Sequence, residues 1–136
     1  MAAPLADAEF ALIRRHTLIG EQILAASPAL AGVARIVRST HERVDGGGYP
    51  DGLAGSEIPL AARIISVCAA YDAMVSPRPY RQSLSAERAQ SELRRCAGAQ
   101  FEARIVEVFI ALADVFEDGK DKAREADPRL GTAAVG

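Results

Sequence analysis

Residues 41–50 read His-Glu-Arg-Val-Asp-Gly-Gly-Gly-Tyr-Pro. Glycine reaches backbone angles that other residues avoid, so three in a row mark a sharply shaped loop. Pro50 fixes its own φ and biases Tyr49 towards extended backbone. The loop therefore hangs directly behind His41, and histidine is the commonest metal-ligating side chain. Stiff loops beside such residues are where sites tend to be built.

On either side of this loop the chain reads as helices. Phe10, Ile13, Thr17, Gly20 and Leu24 form one stripe at spacings of three and four; Leu12, His16, Ile19 and Ile23 form a second. Two stripes predict a broadly buried helix over 7–26. Ser27-Pro28 breaks it, and Leu30, Val33, Val37 and His41 predict a second helix over 29–42, closed by the histidine. After the loop (43–58), Pro59 opens a third helix ending near 75, before Ser76-Pro77-Arg78-Pro79. Ser85 is a good N-cap for a fourth helix that stops near Gly98. Ile105, Val108, Phe109, Leu112 and Phe116 define a fifth over 102–117. No segment alternates with period two. The expected fold is all-α, a bundle of about five helices with the glycine-rich loop between helices 2 and 3. Residues 1–117 read as one domain and 118–136 as a polar, flexible tail.

The chain has 136 residues, 49% hydrophobic and 25% charged, with a net charge of -2. These values suit one globular domain and give no basic surface for a nucleic-acid polymer. No apolar run approaches the ~18–20 residues that span a bilayer, and the first twelve residues lack the pattern of a secretory signal. A cytoplasmic protein is expected. Cys68 and Cys96 read as buried free thiols, without the spacing of a zinc site. No P-loop or nucleophile–base pair stands out.

The run Asp45-Gly46-Gly47-Gly48-Tyr49-Pro50 resembles the signature loop of HD-GYP domains, a branch of the HD superfamily of metal-dependent phosphohydrolases. Further motifs follow in order: His16-Thr17-Leu18-Ile19-Gly20, Gly52-Leu53-Ala54-Gly55, Ile58-Pro59-Leu60, Ala62-Arg63-Ile64, Tyr71-Asp72-Ala73-Met74, Arg78-Pro79-Tyr80-Arg81 and Gly98-Ala99-Gln100-Phe101. Together they cover residues 4–116. The resemblance implies an HD-like helical fold and a bacterial signalling protein that hydrolyses cyclic di-GMP with divalent Fe or Mn. It implies His16 and His41 as metal ligands and Arg78 and Arg81 as contacts to substrate phosphates. The loop residues Asp45, Gly46, Gly48, Tyr49 and Pro50 would also meet other signalling domains.

Departures from the family pattern are equally visible. The resemblance begins downstream of the His-Asp pair that names the superfamily and of a further upstream His or Glu. Thr40-His41 stands where the family has two adjacent histidines. Ala69 stands where an Asp is usual, three residues before Asp72. Two imidazoles are too few for a two-metal hydrolytic centre, and they are expected to hold an ion weakly or not at all.

From the residues alone, each histidine is either a hydrogen-bonded core residue or a ligand, and its apolar stripe points it inward. Asp72 either bonds nearby groups or fills the ligand role vacant at Ala69. Arg78 and Arg81 either grip phosphate with their planar forks or pair with Glu42 or Asp45. Arg43 reads as holding Asp45 and the loop. Tyr49 either plugs the loop onto the helices or stacks on a guanine or a partner.

The function expected is a catalytically inactive HD-GYP member that binds cyclic di-GMP or a signalling protein. The alternative is an active phosphodiesterase completed by another chain or by a longer reading frame, against which Thr40 and Ala69 count. A remnant of a disrupted gene is the third reading. Uncovered apolar surface on the first helix predicts self-association or a partner that completes the bundle.

Overall fold

The computed structural model describes residues 7–126, and the described residues contain helices and turns but no strand. Helix α1 spans Asp7–Ala25. A single 3₁₀ turn at Pro28–Leu30 leads into α2, Ala31–Arg38. After the glycine-rich loop and a second 3₁₀ turn at Gly55–Glu57 come α3 (Leu60–Val75), α4 (Ala86–Cys96) and α5 (Ala103–Ala126). No helix among the described residues is long and apolar enough to cross a membrane.

Two packed groups make up the bundle. Helices α1 and α2 pair closely, with Gly20 of α1 against Val37 of α2. Helices α3, α4 and α5 enclose the main core of Val67, Leu93, Phe101, Val106 and Ile110, with Tyr71 and Phe109 packed on it. Helix α2 also touches α3, and buried Ile58 sits where the loop enters α3. Arg63 staples α3 to its neighbours: its guanidinium donates to the Ile58 carbonyl at 3.0 Å and to Glu102 at 2.5 Å. Ser85 caps α4, accepting the Arg88 N–H at 3.2 Å.

Helix α2 stops at Arg38, short of the predicted 42, so His41 lies in the turn beyond it rather than closing the helix. The cause is local. The Ser39 N–H turns back to the Ile36 carbonyl, and the Thr40 hydroxyl donates to the Val37 carbonyl at 2.9 Å. Hydroxyl side chains compete with the helical ladder in this way. Helix α5 continues past the predicted 117: residues 118–126 are helical, where a flexible tail was expected. The rest of that expected tail, 127–136, lies outside the described residues.

Burial differs from the stripe pattern at Cys68 and on α1, where the uncovered apolar surface expected of the first helix falls on its second stripe. The Leu12–His16–Ile19–Ile23 stripe of α1 is not inside; Leu12 and Ile23 are each 68% exposed. α1 meets α2 through its other face, where Thr17 is buried, and no described element covers the second stripe. Cys68 is exposed rather than buried, in a shallow groove between α3 and α5 that Leu60, Ile64 and Leu112 also line. Cys96 is half-buried against the core.

Candidate functional site

The turn after α2 brings His41 back towards α1, and the two histidines meet. Their Nε2 atoms are 3.1 Å apart, with ring centroids 4.8 Å apart and nearly perpendicular. Both residues are solvent-exposed rather than pointing into the core, because they belong to the uncovered side of α1 and the open turn. The His16 Nδ1–H donates to the Ile13 carbonyl one turn back. The two facing Nε2 atoms share one hydrogen bond across the gap.

His41 also stacks on Tyr49, with centroids 5.2 Å apart and planes within 5°. The Arg14 guanidinium lies over the same tyrosine ring at 5.5 Å. Tyr49 is thus the plug that joins the loop to α1, and cation–π attraction adds to its packing. Partial burial pushes the His41 imidazole below its ordinary pKa, and His16 beside it adds to the shift. Burial likewise raises the Tyr49 phenol.

The loop is held by its own charged residues. Glu42 is only 4% exposed, and its two carboxylate oxygens accept the N–H groups of Asp51 at 2.7 Å and Leu53 at 3.0 Å. Arg43 makes a two-pronged pair with Asp45, at 3.1 and 2.9 Å, and Asp45 also accepts the Gly47 N–H. The guanidinium of Arg43 holds the Asp45 carboxyl below the usual carboxylate range. Arg38 grips Asp51 through two bonds and Glu21 of α1 through a third, fastening loop, α2 and α1 together. Backbone N–H groups of Val44 and Asp45 donate to Gln100 and Ala99, so the Gly98–Phe101 turn receives the loop. Gly46 takes a φ of +82°, and the Tyr49-Pro50 peptide is cis. Gly48 packs directly on backbone: a Cβ there would lie 2.5 Å from both Arg43 N and His41 O.

A cavity of about 590 Å³ opens beside this arrangement. Arg14, Thr40, His41, Tyr49, Ala69 and Ala73 are among its walls. Thr40 and Ala69, far apart in sequence, therefore face one space with His41. Neither side chain supplies a metal donor there. Among the described residues, no three of His, Cys, Asp and Glu gather in a way that holds an ion. The donors present do not fit a two-ion hydrolytic centre, which needs several ligands and bridging oxygens.

Arg78 and Arg81 stand outside the cavity wall. They face each other across an isolated bridge on the exposed segment after α3, and Arg81 donates to the carbonyl of Ala73, which does line the cavity. Neither reaches Glu42 or Asp45, whose oxygens are engaged within the loop. Asp72 is exposed and accepts the Ser76 hydroxyl at 3.3 Å, away from the gap at Ala69. Two residues of the site were missed in the sequence. Arg14 gives no signal there beyond standing one turn before Leu18 on a helix. Glu42 had one: a carboxylate at the start of a glycine-rich loop is suited to collecting loose N–H groups.

The HD domain family matches residues 2–105. A cyclic di-GMP phosphodiesterase of Thermotoga maritima is 40% identical over 124 residues, covering 87% of this chain and 34% of that protein. The cyclic di-GMP phosphodiesterase response regulator RpfG of Xanthomonas campestris pv. campestris is 38% identical over 108 residues, 78% of this chain and 29% of its own. A crystal structure of a cyclic GMP-AMP specific phosphodiesterase of V. cholerae aligns with a TM-score of 0.55 and 28% identity, covering 62% of this chain and 19% of that one. This chain spans about a third of the length of the Thermotoga relative, and less of the other two. With the signature loop built as described and the family matched over most of its length, the chain belongs to the HD domain family and forms an HD-GYP-like domain.

Proposed function

We propose that this domain serves cyclic di-GMP signalling by binding a cyclic dinucleotide without cleaving it. One observation carries the reading: Thr40 and Ala69 line the cavity beside His41, at two positions where a hydrolytic member would present metal donors. The cavity falls in the size range of small-molecule sites, ~300–1,000 Å³. Arg14 in its wall, and Arg78 and Arg81 bridged beside it with Arg81 bonded to Ala73, offer guanidinium groups suited to phosphate oxygens. Relatives named for cyclic di-GMP and for 3'3'-cGAMP support the ligand class.

Calorimetry with cyclic di-GMP tests it. Saturable binding at one nucleotide per cavity is expected, weakened about tenfold or more in an Arg78→Ala, Arg81→Ala double variant, as loss of charge-assisted bonds predicts. Absence of any binding heat removes the nucleotide, and equal binding by the variant removes the phosphate role of these arginines.

The exposed tip of the loop, around Asp45 and Gly47, is the surface we assign to a signalling partner. The isolated 136-residue chain is also expected to self-associate. Leu12, Ile19 and Ile23 on α1, and Leu112, Val115 and Phe116 on α5, leave apolar surface in water. Sedimentation at micromolar concentration should give a species heavier than the 14.4 kDa monomer. A strictly monomeric boundary would contradict this.

A further inference from the structure

Tyr49 and Arg14 meet in the cavity wall, with the guanidinium 5.5 Å from the ring centroid. A second contact outside the cavity holds the same two elements together. Glu21 lies two helical turns after Arg14, so the two share one face of α1, about 10 Å apart at ~1.5 Å of rise per residue. Asp51 follows Tyr49 in the loop, with Pro50 between them. Arg38, the last residue of α2, joins Glu21 to Asp51. Its Nη1 donates to Glu21 Oε1 at 2.8 Å, its Nε to Asp51 Oδ2 at 2.8 Å and its Nη2 to Asp51 Oδ1 at 2.9 Å. The loop is therefore fixed to α1 at one point within the cavity wall and at another beyond it.

The outer point suits placement more than stability. Its three side chains are between 26% and 36% exposed, and ion pairs open to water contribute little to folding. Its geometry is still specific. One planar fork fills both Asp51 oxygens and also reaches a carboxylate on another helix, which a lysine ammonium cannot reproduce. The Asp51 N–H is held at the same time by Glu42 at 2.7 Å, and the Tyr49 N–H by the His41 carbonyl at 3.2 Å. Pro50 between them has a fixed φ, so a shift of Asp51 is carried to the Tyr49 ring. Removing the guanidinium also leaves two carboxylates converging on one spot, and their repulsion parts the loop from α1.

We propose that Arg38 is a positioning residue for cyclic dinucleotide binding: from outside the cavity, its clamp on Glu21 and Asp51 sets Tyr49 against Arg14, the guanidinium offered to a ligand phosphate. This rests on the binding reading above. Calorimetry of the full chain with cyclic di-GMP should show Arg38→Gln binding at least about tenfold more weakly, because the ligand must then order the wall itself. The urea midpoint of that variant should stay close to wild type. Arg38→Lys should not restore the affinity. Adding Asp51→Asn to Arg38→Gln should weaken binding no further, since both changes break one clamp and the second relieves the repulsion. Proton magnetic resonance reads the placement without a ligand. The Tyr49 ring signals, displaced by the stacked His41 ring, should move towards free-tyrosine positions in Arg38→Gln, while those of Tyr71, packed on Phe109, stay in place. Unmoved Tyr49 signals, or wild-type affinity in Arg38→Gln, overturn the inference. If the wild-type chain binds no cyclic di-GMP, the binding reading falls, and the Tyr49 signals still decide the clamp by themselves.

Discussion

Gly48→Ala is expected to cost about 3 kcal/mol of stability, the upper end of ordinary overpacking. The added Cβ would lie 2.5 Å from Arg43 N, 2.5 Å from His41 O and 2.7 Å from Glu42 Cα. All three are backbone atoms, so no flexible side chain can swing away. The chain must instead open the turn that brings Tyr49 onto His41, where the Tyr49 N–H donates to the His41 carbonyl at 3.2 Å. Gly32→Ala is the control of opposite sign. Gly32 lies in α2, and a Cβ there meets nothing within 4 Å. Alanine should raise stability by about 0.5 kcal/mol, because it loses less entropy in a helix. Urea titration followed by circular dichroism reads both midpoints. A Gly48→Ala midpoint equal to wild type would mean that the loop is not built as described.

Glu42→Ala should cost about 2–4 kcal/mol, since it strands two loop N–H groups that a buried charge now satisfies. Glu42→Gln keeps one acceptor and turns an N–H₂ towards the other donor, so about half that loss is expected. Hydrogen exchange separates a local from a global effect. In both variants the Asp51 and Leu53 amides should exchange faster than in wild type. The core amide of Val67, buried between α3 and the other helices of its group, should slow or quicken only with overall stability. Unchanged protection at Asp51 and Leu53 in Glu42→Ala would show that other groups fix the loop.

The sequence made the helices legible where one side of each faces a neighbour. The Thr17–Gly20–Leu24 stripe of α1, the Ser85 cap and the Ile105–Phe109 run of α5 are where periodicity placed them. It misled where a pattern had no cover. The Leu12–His16–Ile19 stripe has the period of a buried face, but periodicity says only which residues share a side, not what lies against that side. The end of α2 was misplaced because hydrogen bonds from Ser39 and Thr40, not a glycine or proline, stop the helix. Among site residues, the pairing of Arg43 with Asp45 was legible, being local. The meeting of His16 with His41 was not, because it depends on how two helices pack. The convergence of Thr40 and Ala69 on one cavity is likewise a fact of packing. It turns two scattered departures from a family pattern into one altered surface.

We propose that this altered surface binds a cyclic dinucleotide without hydrolysing it. Incubating the 136-residue chain with cyclic di-GMP and Mn²⁺ or Fe²⁺, and measuring linear and mononucleotide products by chromatography, decides between binding and turnover. No product above a His41→Ala control is expected with either ion. Product well above that control would mean that Thr40 and Ala69 do not disable the site.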